Sequence, residues 1–383
     1  MNRKIWKALG IAVCMLALAA PRAMAKTYKV GKDDPFIKFG DAVEAINQSG
    51  DAENEIVLME NITLGVNYTL TNDKATTIKT TTIKGEGNTI TVNSGAGIKV
   101  TGGGTVLNLG AEGYAEKLTI EGDTKGAFIT VSGGATANMY GNVTLQNWQF
   151  AGNACVVIMG PKLATGSNSV FNMCGGVIEN CSRAVTAGSR TTFNMSGGKI
   201  RNREGIRGSG NGGGVRVYEA TFVMSGGTIS GCTADTGGGL YADHSTITIN
   251  NGTISGCKTL AYKDGGGLYA DNSAINISDG TISGCDGRWG GGLYAENSST
   301  ITITDSTISG CKAGAGGGLF VIGSTLNIED DIISECTASD TGKGGGLYAE
   351  NSTLTISGGT IKGNKAAYGG GVALVKSKVE EPI

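Results

Sequence analysis

The chain has 383 residues, 31 basic and 33 acidic, with 66 glycines but only four prolines. So much glycine beside so little proline fits neither an ordinary globular domain nor a collagen-like or proline-stiffened chain, and implies a repeated backbone geometry that needs glycine. With residues 1–25 set aside the balance is 27 basic against 33 acidic, a net charge of −6 that argues against a nucleic-acid partner.

Residues 1–25 read as a secretory signal peptide. Arg3, Lys4 and Lys7 precede an apolar run from Ala8 to Ala20, and Ala23-Met24-Ala25 forms a small-residue cleavage site. No later segment reaches the roughly 18 apolar residues of a membrane span. The expected location is extracellular or at the cell surface, with no membrane span in the mature chain.

Residues 26–75 differ from everything after them. Phe39 to Ile46 has the apolar spacing and leading Asp41 of a short helix, and Glu55 to Met59 reads as a strand. A solenoid exposes core and an unpaired edge at an open end, so this segment is expected to be an amino-terminal cap.

Residues 76–383 are expected to form the solenoid itself. Thr89 to Val92, Phe128 to Val131 and Val143 to Leu145 look like irregular early coils. From Gly212 onward glycine triplets start at 212, 237, 265, 290, 316, 344 and 369, a repeat of 25 to 28 residues. Each copy holds three short alternating runs separated by Asn, Asp, Gly or Ser; in one, Leu240-Tyr241-Ala242, Thr246 to Ile249 and Thr253-Ile254-Ser255. Such runs are too short to bury a face alone, but stacked in parallel about 4.8 Å apart they share a core. The expected fold is an all-β, right-handed parallel β-helix with three strands per coil and roughly 11–13 coils, a rod on the order of 55 Å.

Stacking the copies defines interior rows: Leu240, Leu268, Leu293, Leu319 and Leu347; Ile249, Ile277, Ile303, Ile328 and Ile356; and Ile254, Ile282, Ile308, Ile333 and Ile361. Three residues after the last row runs a column of Cys181, Arg203, Cys232, Cys257, Cys285, Cys311, Cys336 and Asn364. The residue before is mostly Gly or Asn, types that accept a left-handed turn and would swing the next side chain inward. Stacked thiols are the main reading. Coil spacing would also permit disulfides between neighbours, and metal binding is a third alternative that needs convergent ligands.

The pairing of Gly237-Gly238-Gly239-Leu240 with Ile229-x-x-Cys232, and of its last copy with Ile361-x-x-Asn364, resembles the right-handed β-helix repeats of polymorphic outer membrane proteins and the wider pectin-lyase-like group. The resemblance implies a bacterial surface protein. Phe is replaced here by Ile and Asn mostly by Cys, and the chain ends at Ile383 without the membrane barrel of the autotransporting members.

Two surface features carry the functional expectation. Tyr241, Tyr269, Tyr294, Phe320 and Tyr348 each follow an interior Leu, so alternation turns them outward as an exposed stripe for a glycan or protein, the bland alternative being mutual stacking. Length variation falls in one loop, including Lys258 to Asp264 and Thr337 to Lys343, beside that row; insertions on one face of a solenoid often mark the binding face. Thr-x-Thr pairs such as Thr246/Thr248 are good strand formers and too interrupted for an ice-binding plane. His244, the single histidine, occupies a turn column with Asn272, Asn297 and Asn351. Asp235, Asp264, Asp286 and Asp340 lie near the variable loop and could gather into a calcium or acid/base cluster. The favoured function is adhesin-like binding without catalysis, metal or cofactor. A pectin-lyase-like polysaccharide lyase or glycosidase is the first alternative, and a structural spacer or fragment of a larger surface protein the second.

Overall fold

The computed structural model describes residues 25–32, 37–72, 77–122, 126–148, 154–161, 166–202, 210–260 and 263–380. The proposed signal peptide therefore lies almost wholly outside the described residues, as does Arg203. The strands form three parallel sheets of 14, 12 and 12 members, each pairing with its counterpart one coil away. The protein is a parallel β-helix. Two compact units are distinguished, Met1–Glu179 with Gly188–Lys199, and Asn180–Ala187 with Ile200–Ile383.

In the first unit the strand Lys26–Val30 pairs in register with Glu53–Leu58, and the helix α1 spans Phe39–Gln48 between them. Phe39, Ala42, Val43 and Ile46 form its buried face, with Phe39 edge-on to Tyr68 at 5.2 Å. The helix has no basic residue in its last turn. Lys79 supplies one from a later coil: its buried ammonium donates to the carbonyls of Ile46, Asn47 and Ser49 at 3.0, 3.2 and 2.9 Å, where the helix dipole favours a cation. On the outer face of this unit the amides of Asn108, Asn138, Asn172 and Asn194 form a ladder with steps of 2.8, 2.7 and 2.8 Å.

The second unit holds the regular repeats. Leu240, Leu268, Leu293, Leu319 and Leu347 pair one above another and are fully buried, as are the matching isoleucine rows until the last coil. The left-handed turns expected before the cysteine column are present at Gly231, Gly256, Gly284, Gly310 and Gly363, and at Asn180 and Glu335, with φ between 53 and 65°. Glycine triplets are required by close approach: a Cβ on Gly238 would lie 2.3 Å from the Lys258 carbonyl oxygen, and one on Gly239 2.7 Å from that of Gly267. Besides the three expected strands per coil there is a short extra pairing in the loop, Thr233–Ala234 with Lys258–Thr259 and Lys312–Ala313 with Thr337–Ala338.

The cysteine column divides. Cys232, Cys257, Cys285, Cys311 and Cys336 are free and buried. Each of the last four donates through Sγ to the serine carbonyl two residues back at 3.3–3.4 Å, and more weakly to an isoleucine carbonyl one coil away. Contact with the neighbouring thiol, then burial, pushes the Cys311 pKa up to about 12. Cys181 departs from the expected thiol column: it is disulfide-bonded, as are Cys155 and Cys174. Asparagine ends the column at Asn364, whose Oδ1 accepts from the Cys336 N–H at 2.8 Å; Asn202, one position before Arg203, accepts in the same way from the Cys181 N–H at 2.9 Å.

Candidate binding face

The five rings expected to be exposed are instead buried. Tyr241, Tyr269, Tyr294, Phe320 and Tyr348 do point away from the coil interior, yet their relative exposures are 7, 9, 4, 5 and 7%. They stack in one column, with centroids 5.1, 5.3, 5.2 and 4.7 Å apart. The variable loop folds back over the sheet and roofs them: Trp289 and Ala315 pack onto the column, Trp289 stacking on Phe320 at 5.4 Å. The outward face thus becomes a second, smaller core.

A carboxylate edge completes it. Tyr294 Oη donates to Glu296 at 3.0 Å, Tyr348 Oη to Glu350 at 2.8 Å and Tyr241 Oη to Asp243 at 3.5 Å, while Tyr269 Oη bonds Glu296 from the neighbouring coil. Where the ring is Phe320 and has no hydroxyl, the partner position holds Ile322. The two columns change together because a buried phenol requires an acceptor and a buried carboxylate a donor. Burial, reinforced by Asp243 and Asp271, raises the Tyr241 pKa to about 12, and burial with Glu350 does the same for Tyr348. Tyr269 and Tyr294 rise further for the same reasons.

Above the rings runs a ledge just before each glycine triplet, exposed at Lys263, Arg288, Lys343, Ala367 and Tyr368, buried at Gly342 and half-buried elsewhere. Its two positions read Gly210-Asn211, Asp235-Thr236, Lys263-Asp264, Arg288-Trp289, Gly314-Ala315, Gly342-Lys343 and Ala367-Tyr368, different in every coil, whereas the Gly-Gly-Gly-Leu-Tyr phrase behind it barely changes. Backbone bonds hold the ledge in register, including Arg288 N–H to the Lys263 carbonyl at 2.7 Å and Gly314 N–H to that of Arg288 at 2.6 Å. The Arg288 guanidinium lies 4.1 Å over the Trp289 ring. Asp264 has a carboxylate oxygen with no partner among the described residues; its pKa is raised by burial and by Glu296, against the opposing pull of Arg288.

The other candidates resolve separately. His244 sits in a left-handed turn with φ 48°, exposed, its Nδ1 2.5 Å from Asp243, which raises its pKa. Asn272, Asn297 and Asn351 take the same turn conformation. Asp235, Asp264, Asp286 and Asp340 stand in the loops of four different coils, and among the described residues no group of three His, Cys, Asp or Glu side chains could hold a metal ion. Sequence reasoning missed a buried serine ladder. Ser273, Ser299, Ser324 and Ser352 each accept, at 3.1–3.3 Å, the N–H of the serine one coil before, and each donates to a nearby backbone carbonyl. Its signal was the serine recurring beside the asparagine turn column.

With its parallel coils, interior ladders and roofed face on the page, the chain belongs to the class of β-helix repeat proteins. It is a member of the right-handed β-helix family, whose model, described as a right handed beta helix region, matches residues 177–331 and 222–380. No curated protein sequence matches it significantly. Among solved structures it is similar to the A-module of the Azotobacter vinelandii mannuronan C-5 epimerase AlgE6, at 16% identity and a TM-score of 0.28, over 90% of this chain and 94% of that one.

Proposed function

We propose that the protein is exported and works outside the cell or on its surface as an adhesin-like binder of a glycan or a protein, without catalysis. The observation that carries this reading is the contrast between ledge and scaffold. Seven coils share one glycine-triplet backbone and five of them one buried aromatic column, while the two ledge positions differ in each and carry the exposed Lys263, Arg288, Lys343 and Tyr368. Repeats that keep their folding residues and vary one surface row are arranged to present that row. The aromatic column sits beneath it as a stiff floor, so Tyr241, Tyr269, Tyr294, Phe320 and Tyr348 serve binding by holding the ledge in place rather than by touching a ligand. Export rests on the proposed signal peptide.

The test is adhesion of labelled protein to cell-surface and matrix preparations. Replacing Lys263-Asp264 and Arg288-Trp289 with Gly-Ala, the pair that the fold already carries at 314–315, is expected to abolish adhesion while the circular dichroism of the β-helix persists. Undiminished adhesion would sink the site. Release of unsaturated or reducing ends from polysaccharide would instead favour the lyase or glycosidase alternative, for which Asp264 beside Glu296 is the acid pair to mutate first.

A further inference from the structure

Resting on the adhesin-like reading, we infer that the loop face of the second unit binds a linear anionic polysaccharide of low charge density, with an acid group on every second sugar. The face reverses the sign of the chain. Its loops, 232–236, 257–264, 285–289, 311–315, 336–343 and 364–368, hold six basic residues, Lys258, Lys263, Arg288, Lys312, Lys343 and Lys365, against Asp235, Asp264, Asp286 and Asp340, whereas the whole chain carries −2. All six cations are exposed, and none is in a salt bridge among the described residues.

Three of them are strictly placed. Thr233, Lys258, Asp286, Lys312, Thr337 and Lys365 pair in register as one column, so Lys258, Lys312 and Lys365 recur at every second coil. At one coil per strand spacing that is about 10 Å. Duplex DNA carries a charge about every 1.7 Å, and most of its phosphates would face the acidic remainder of the protein. A pyranose chain advances about one coil rise per sugar, so one acid group per two sugars matches the lysine column. Arg288 adds a directional contact: stacked on Trp289, itself stacked on Phe320, its guanidinium is oriented before any ligand arrives and its in-plane N–H groups suit a carboxylate.

Affinity electrophoresis of the full chain tests this, with gels containing hyaluronan, which has one carboxylate per disaccharide, neutral dextran, or duplex DNA. Retardation is expected in hyaluronan alone, lost on raising the salt, and at least tenfold weaker for the Lys258→Gln, Lys312→Gln, Lys365→Gln triple variant. Arg288→Gln should weaken it several-fold. No retardation in hyaluronan, equal retardation in dextran or DNA, or unchanged binding by the triple variant would overturn the inference. The adhesion assay separates the two levels: a triple variant that still adheres defeats only the polysaccharide assignment, and a wild-type chain that adheres to nothing defeats the underlying reading.

Discussion

Truncating Tyr294 to alanine distinguishes a structural column from a surface stripe by magnitude alone. An exposed ring that merely stacks on neighbours could be removed at a cost within about 0.5 kcal/mol. Tyr294 is only 4% exposed, with Tyr269 at 5.3 Å on one side and Phe320 at 5.2 Å on the other. Deleting a buried aromatic ring costs about 3–5 kcal/mol, two lost stacking contacts of about 0.5–1.5 kcal/mol each being part of that sum. Tyr294→Phe keeps the ring and loses only the hydroxyl bond to Glu296, which still accepts from Tyr269, so about 1–2 kcal/mol is expected. Urea midpoints give the overall cost. Because solenoid stability couples nearest neighbours, amide exchange should quicken in 268–271 and 319–322 as well as in 293–296. A loss below about 1 kcal/mol for the alanine variant, with exchange in those coils unchanged, would refute the roofed-core argument.

Three other outcomes follow from buried groups. In denaturant without reductant, protein beginning at Lys26 should show at least five reactive thiols, those of Cys232, Cys257, Cys285, Cys311 and Cys336, all five of which should be unreactive when native; fewer than five in denaturant would mean that some of the column is cross-linked. Asp331 is 2% exposed; burial, with Asp305 and Asp330 adding to it against the Ser306 N–H, raises its pKa to about 6. The folded state therefore holds this proton more tightly than the unfolded chain, and the stability it lends below about pH 4 is lost as pH rises through 6. Asp331→Asn, which keeps an acceptor for Ser306, should raise the melting temperature at pH 7.5, by no more than about 3 kcal/mol in stability, and flatten the profile between pH 4 and 7; a less stable variant at pH 7.5 would contradict this. Lys79→Met should strip three carbonyl bonds from the end of α1 at a cost of about 2–3 kcal/mol, seen as faster amide exchange confined to 39–48; unchanged exchange there would show that the ammonium does not hold the helix.

The architecture was legible because parallel stacking turns a one-dimensional repeat directly into contacts. A fixed offset between Ile249 and Ile254, repeated at Ile277 and Ile282, states a turn of constant length, and the structure pairs those residues in register. The left-handed turns were legible for the same reason, since Gly at 231, 256, 284 and 310 marks one backbone conformation. Cys181 was not separable from the other thiols: it shares their column position, and its disulfide bonding depends on surroundings that differ from the regular coils. The serine ladder was overlooked because serine beside a turn is ordinary, and only its hydrogen bonding from coil to coil distinguishes it.

The aromatic row stacks, as its alternative reading had it, but the exposure expected of it is absent for a more general reason. Alternation along a strand states which side of the sheet a residue takes, and it correctly separated Leu240 from Tyr241. It says nothing about whether that side is roofed. The covering came from the loop, through Trp289 and Ala315, and the sequence carried one clue to it: Phe320 loses its hydroxyl in the same coil where the acidic partner becomes Ile322. Exposed tyrosines tolerate any neighbour, but a buried phenol and a carboxylate must be gained or lost together. Paired change within one chain therefore reports burial, and unpaired change at exposed positions, as at Lys263, Arg288 and Lys343, reports freedom from packing. By that criterion the residues able to differ for a ligand's sake are those of the ledge, and the tyrosines beneath it are held constant by the fold.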